Sequence, residues 1–272
     1  MSEHDTPTHQ GRVLAVAGSD SGGGAGVQAD IKAITMVGGY AATAITALTV
    51  QNTQGVSDVH PVPADIIEGQ IRAVLTDIGA DVIKTGMLAT AETVELVAGL
   101  LEELAPQTPL ILDPVMVATS GDRLIDEAAE TALRERLLPK AFLVTPNIPE
   151  AEAMGEGEVR DLETQIAAGE ALIELGAQAA LIKGGHLKGE VLRDVLVTAH
   201  GMRFFERPKL KTTSTHGTGC TLASAIAGLL AQGVPLADAV QSAGDYLHEA
   251  IARAPGFGEG NGPVNHAWPA QG

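Results

Sequence analysis

Six short apolar runs limit this chain to very few folds. They are "RVLAVAG" (12–18), "TAITALTV" (43–50), "DVIKTGM" (81–87), "LILDPV" (110–115), "FLVTPN" (142–147) and "AALIKGG" (179–185). Each has strand length, is β-branched or leucine-rich, and shows little alternation, as strands buried on both faces should. Helical patterns lie between most of them. Val27, Ile31, Ile34 and Val37 form one stripe within 24–38, and others fall near 63–77, 90–104, 126–138 and 161–175. Such alternation indicates an α/β architecture, a mostly parallel sheet covered by helices on both faces. The segment 191–213 reads differently, as two strands around a "HG" turn, an antiparallel addition at the sheet edge. Two helices follow, 217–232 (Leu222, Ile226, Leu229 and Leu230 on one face) and 235–253, and the glycine-rich tail reads as loop. Without repeats or a low-complexity linker, 12–272 reads as one domain behind a disordered tail, 1–11.

Charge and cysteine usage narrow the class of ligand. Among 272 residues, 17 are basic and 34 acidic, a net charge of −17. That argues against nucleic acid or an anionic membrane as partner, and it means that an anionic ligand must be held by local donors. Aromatics are only 3%, so the core must be aliphatic. The lone cysteine rules out an internal disulfide and suits a reducing cytoplasm. No run approaches membrane-span length, and the first residues carry no apolar core of a signal peptide, so the expected location is cytoplasmic.

Each apolar run ends in glycine or a polar residue: Gly18-Ser19-Asp20, Gln51-Asn52, Gly86-Met87, Asp113, Asn147 and Lys183-Gly184-Gly185. Turn chemistry explains the glycines, but not Gln, Asn, Asp and Lys at successive strand ends. In open parallel sheets ligands bind at the carboxyl ends of the strands. "AGSDSGGGAG" (17–26) carries five glycines in a strand-to-helix turn that is neither a Walker A loop nor Gly-x-Gly-x-x-Gly, and it suits a backbone that must approach a ligand closely. Asp30 falls on the apolar side of the next helix, where it needs partners or a ligand unless it reaches solvent at the stripe's edge. "STHGTGC" (214–220) has the makings of an anion hole: glycines that let successive N–H groups converge, then a helix N-terminus. The same field would favour a thiolate at Cys220, as base or nucleophile; the alternative is a small buried cysteine. Asn147 and Glu150 in "TPNIPEAE" form either part of a cation site with Asp113 or a plain helix start. Lys183 can meet a phosphate as a point charge. The eight histidines show no metal spacing, and no Gly-x-Ser-x-Gly elbow is present.

With "AGSDSGGGAGVQADIK", "AITALTVQNTQGV", "IKTGML", "DPVMVATSGD", "TPNIPEAE", "LIKGGH", "THGTGCTLASAIA" and "GNGPVNH" in one order from about Arg12 to Trp268, the chain resembles the ribokinase superfamily. Within it, the chain closely resembles the hydroxymethylpyrimidine/phosphomethylpyrimidine kinases of thiamine biosynthesis. The resemblance implies a ribokinase-like three-layer α/β/α fold and two successive ATP-dependent phosphorylations, of the pyrimidine alcohol and then of its monophosphate. It implies substrate contacts at Gly18, Asp30, Gln51 and Met87, with Asp30 holding the ring amine or the reacting hydroxymethyl group. ATP would lie near Asn147, Lys183 and Thr215, with Mg²⁺ near Asp113 and Glu150, in part through water. Gly217, Thr218, Gly219 and Cys220 would form the anion hole, Cys220 taking the alcohol's proton. Relatives tend to pair as homodimers. Ser214 stands in a slot that is often Asn, and sugar kinases of the superfamily carry Asp where this chain has Cys220. A pyridoxal kinase on the same scaffold is the nearest rival reading; a non-catalytic sensor is another. Residues 118–122 are the expected flap over the substrate.

Overall fold

The computed structural model describes residues 10–118, 121–155, 157–187 and 189–271. Residues 1–9 of the expected tail, and Thr119 and Ser120 of the expected flap, lie outside the described residues. Gly11, assigned to that tail, is instead buried: its carbonyl accepts from Tyr40 N–H, and a Cβ there would sit 2.3 Å from the backbone of Ala231.

All nine strands among the described residues join one sheet, in the order β3-β2-β1-β4-β5-β6-β7-β8-β9. The six apolar runs become β1 (Arg12–Asp20), β2 (Tyr40–Gln51), β4 (Val82–Thr85), β5 (Leu110–Leu112), β6 (Ala141–Val144) and β7 (Ala179–Ile182), all mutually parallel. Val13, Leu14, Ala15 and Val16 of β1 have no exposed surface, because helices cover both faces, which is why these strands do not alternate. The hairpin is β8 (Val191–Thr198) and β9 (Gly201–Pro208), antiparallel and appended to β7. One strand was not legible beforehand: β3 (Val56–Pro61, "VSDVHP") runs antiparallel to β2 at the opposite edge. It is largely exposed and polar, so its sequence has no buried face to announce it.

Between the strands lie α1 (Gly26–Met36), α2 (Ala64–Ala73), α3 (Ala91–Leu104), α4 (Glu127–Ala132), α5 (Ile148–Gly155), α6 (Leu162–Glu174), α7 (Thr218–Ala231) and α8 (Leu236–Ala252). Two cores result, one on each face. Ile67, Val94, Val97, Leu133 and Leu172 pack one face; Ile34, Leu222, Ile226 and Val240, from α1, α7 and α8, pack the other. Each fully buried aliphatic side chain contributes about 1.5–3 kcal/mol, and the cores are mostly aliphatic, with Phe205 and Tyr246 buried in the second. Connections run outward in opposite directions from β1 (to β2) and from β4 (to β5), so a topological switch point, and with it a crevice, opens between the carboxyl ends of β1 and β4.

Candidate active site

A cleft of about 850 Å³ follows those carboxyl ends. Gly18, Gln51, Met87, Asp113, Asn147, Glu150, Lys183, Thr215 and Gly217 to Cys220 all line it. At the switch point Gly18 and Met87 meet: a Cβ on residue 18 would be 2.6 Å from Met87 Cε, so the methionine tip packs directly over the glycine. Gln51 ends β2 beside them, held through its backbone by Ser21 and through its side chain by the Thr49 hydroxyl at 3.2 Å.

The two glycine loops are built against each other. Gly217 has φ 76°, and a Cβ there would overlap Gly24 O at 1.8 Å, so both handedness and contact demand glycine. Asp20 clamps the pair. Its carboxylate accepts from Gly22, Gly24 and Ala25 N–H at 2.8–2.9 Å and bonds His216 Nε2 at 2.8 Å. Burial alone would raise its pKa, but His216 and the amides outweigh that and hold it below the usual carboxylate range. The tail closes from behind: His216 N–H donates to Gly262 O, and His266 meets Thr221 Oγ1 at 2.9 Å. Burial pushes His266 down to about 4, so the imidazole is neutral. Ser214 is buried and does not line the cleft.

At the cleft floor Lys183 Nζ lies 3.5 Å from Asp113 Oδ1 and 3.9 Å from Glu150 Oε2. Asn147 and Glu150 form a reciprocal cap on α5: Asn147 N–H donates to Glu150 Oε2 at 2.8 Å, and Glu150 N–H to Asn147 Oδ1 at 2.9 Å. The helix-start reading of this motif is therefore correct, and Glu150 still lines the cleft. Burial lifts Glu150 to about 7, against the pull of Lys183. Gly219 opens α7 between the charges: a Cβ there would be 3.3 Å from Lys183 Nζ and 3.9 Å from Asp113 Oδ1. First-turn amides of a helix have no intrahelical acceptor, so this end of α7 is a donor surface for an anion.

Two expectations are corrected. Asp30 does not line the cleft; it has no exposed surface, and its Oδ1 accepts from Lys84 Nζ at 2.9 Å and Ser224 Oγ at 2.6 Å. It faces inward because α1 packs that side against the sheet and α7. Cys220 is not a resting thiolate. Burial pushes its thiol up to about 12, although the Lys84 ammonium pulls the other way. The dry environment outweighs the helix N-terminus. Sequence reading noted Asp20 only as a polar strand end, and it missed His216 and the apolar lining of Leu192, Leu210, Leu247 and Ile251. Asp20 and His216 are 196 residues apart, and no local pattern links them.

A family model described as phosphomethylpyrimidine kinase matches residues 20–265. The chain belongs to that family. It is 49% identical over 265 residues to the thiamine biosynthesis bifunctional protein ThiED of Geobacter sulfurreducens, covering 97% of this chain and 54% of that protein. It thus spans about half the length of that relative. It is 46% identical over 260 residues to the hydroxymethylpyrimidine/phosphomethylpyrimidine kinase of Haemophilus influenzae, covering 94% and 96%. Among solved structures, an ADP complex of Bacillus subtilis pyridoxal kinase superposes with a TM-score of 0.89 at 33% identity, covering 97% of this chain and all of that one. The fold is ribokinase-like, as the motifs implied.

Proposed function

We propose that the chain is an ATP-dependent kinase of thiamine biosynthesis. It phosphorylates hydroxymethylpyrimidine to the monophosphate and the monophosphate to the diphosphate. The observation carrying this reading is Gly219, at the start of α7, bracketed by Lys183 and Asp113 within one cleft whose other end is Gly18, Gln51 and Met87. Phosphoryl transfer is mostly positioning and charge stabilisation, so such a donor surface beside an acceptor pocket is what the reaction requires. Lys183 and the amides of Gly217 to Cys220 receive the transferred phosphoryl group, Gln51 orients the pyrimidine edge, and Leu192, Leu247 and Ile251 shield the nucleotide base.

The donor set suits Mg²⁺: Asp113 Oδ2 is buried with no hydrogen-bond partner among the described residues, and Asp113 and Glu150 flank one lysine. Such a cation would be held by these two carboxylates with waters and phosphates. When bound, it supplies neutralisation of phosphate charge. A cytoplasmic homodimer remains the expected working form, and among the described residues no helix is long and apolar enough to cross a membrane.

Cys220 holds the attacking hydroxyl. It sits in the first turn of α7 and lines the same cleft as Gly26 of the first glycine loop. The second transfer starts from an already ionised phosphate oxygen and needs no such help. Cys220→Ala is therefore expected to slow the first step by about 10²-fold or more and the second by far less. Equal losses, with the two products quantified separately, would remove Cys220 from the hydroxyl's binding site. The fold's likeness to a pyridoxal kinase keeps one second reading, pyridoxal phosphorylation. Incubation with Mg-ATP and each alcohol decides: monophosphate followed by diphosphate of the pyrimidine supports the proposal, whereas pyridoxal phosphate as main product overturns it.

A further inference from the structure

Lys84, at the centre of β4, has no exposed surface, and the chemistry above does not use it. An ammonium is costly to bury unless it is paired. Its Nζ lies 2.9 Å from Asp30 Oδ1 and 3.8 Å from Asp113 Oδ2. Gly86 keeps the space open, since a Cβ there would sit 3.1 Å from Lys84 Nζ and 3.0 Å from Ala17 Cβ. The Asp30 contact ties β4 to α1 and, through Ser224, to α7, one turn beyond Cys220. That side is structural. The other side is not, because Asp113 also lies 3.5 Å from Lys183 in the cleft. Five charges thus alternate from core to cleft: Asp30, Lys84, Asp113, Lys183 and Glu150. Two lysines compete for Asp113. Without Lys84 the carboxylate would swing fully onto Lys183 and withdraw that cation from an incoming phosphate.

We propose that Lys84 is a positioning residue of the phosphoryl-transfer site, holding Asp113 at the cleft floor so that Lys183 stays available to phosphate. This rests on the kinase reading of the cleft. Three variants separate it from a purely structural tie. Lys84→Met strands Asp30 and is expected to lose both stability and rate. Lys84→Met/Asp30→Asn neutralises the pair while keeping an acceptor for Ser224. It is expected to recover thermal stability, to bind the pyrimidine alcohol within about twofold of wild type, and yet to stay about 50-fold or more below it in kcat, with ATP affinity about tenfold weaker by calorimetry. Asp30→Asn alone should lose stability and keep kcat within about threefold. The proposal is overturned if the double variant regains kcat together with stability, or if Asp30→Asn loses as much rate as Lys84→Met. Absence of phosphate transfer by the wild type would instead overturn the kinase reading, and ATP affinity in the variants would still report on Lys84.

Discussion

Cys220 and Glu150 show how burial resets chemistry that sequence context suggests. With its thiol at about 12, Cys220 should react with iodoacetamide at pH 8 at least about 10²-fold more slowly than a free cysteine. Alkylation as fast as free cysteine would mean a thiolate after all. Glu150 is raised from 4.5 to about 7, so the folded state binds an extra proton between those values. Its contribution to stability is complete below about pH 4.5 and is lost as pH rises through about 7. Glu150→Gln keeps the cap acceptor and removes the buried charge. Thermal melts should show it more stable than wild type at pH 8, by about 1–3 kcal/mol, with the gain vanishing towards pH 4.5. The same variant should lose phosphoryl transfer. These two residues were legible as candidates because their motifs are local, but their protonation states were not, since desolvation depends on what the rest of the fold packs around them.

The elements proposed to carry function are the first glycine loop and the 214–220 loop, joined by Asp20 and His216. Asp20→Ala leaves the N–H groups of Gly22, Gly24 and Ala25 without their carboxylate acceptor. Urea unfolding should report a loss of at least about 3 kcal/mol. Gly217→Ala must relieve a 1.8 Å overlap with Gly24 O at φ 76°, so it should displace both loops and abolish turnover even where the protein still folds. Near-wild-type kcat in Gly217→Ala would mean that the loops need no contact. The elements themselves were largely readable. Buried parallel strands, helical stripes and the β8–β9 turn all have local signatures. The edge strand β3 does not, because nothing buries it and pairing with β2 is what makes it a strand.

At the scale of the whole molecule, a net charge of −17 surrounds the cleft proposed to hold phosphates. The field of the chain opposes an anionic substrate, so in the proposed reaction Lys183 and the α7 amides act at short range. Added salt screens the self-repulsion of the acidic surface and should raise the melting temperature, while a fall with salt would mean that specific ion pairs dominate.

The sequence by itself determined the layered α/β class, the position of a site at the strand ends and, through motifs that each span fewer than twenty residues, most of the side chains that line it. The tertiary structure alone decided which acids meet which bases. Asp30 is paired with Lys84 across 54 residues and Asp20 with His216 across 196, so one expected substrate contact became a core ion pair and an unnoticed histidine became a clamp. Spacing along a chain reports which residues share a face. Only packing reports which charges share a cavity and how dry that cavity is, and those two quantities set the chemistry of Cys220, Glu150 and Lys84.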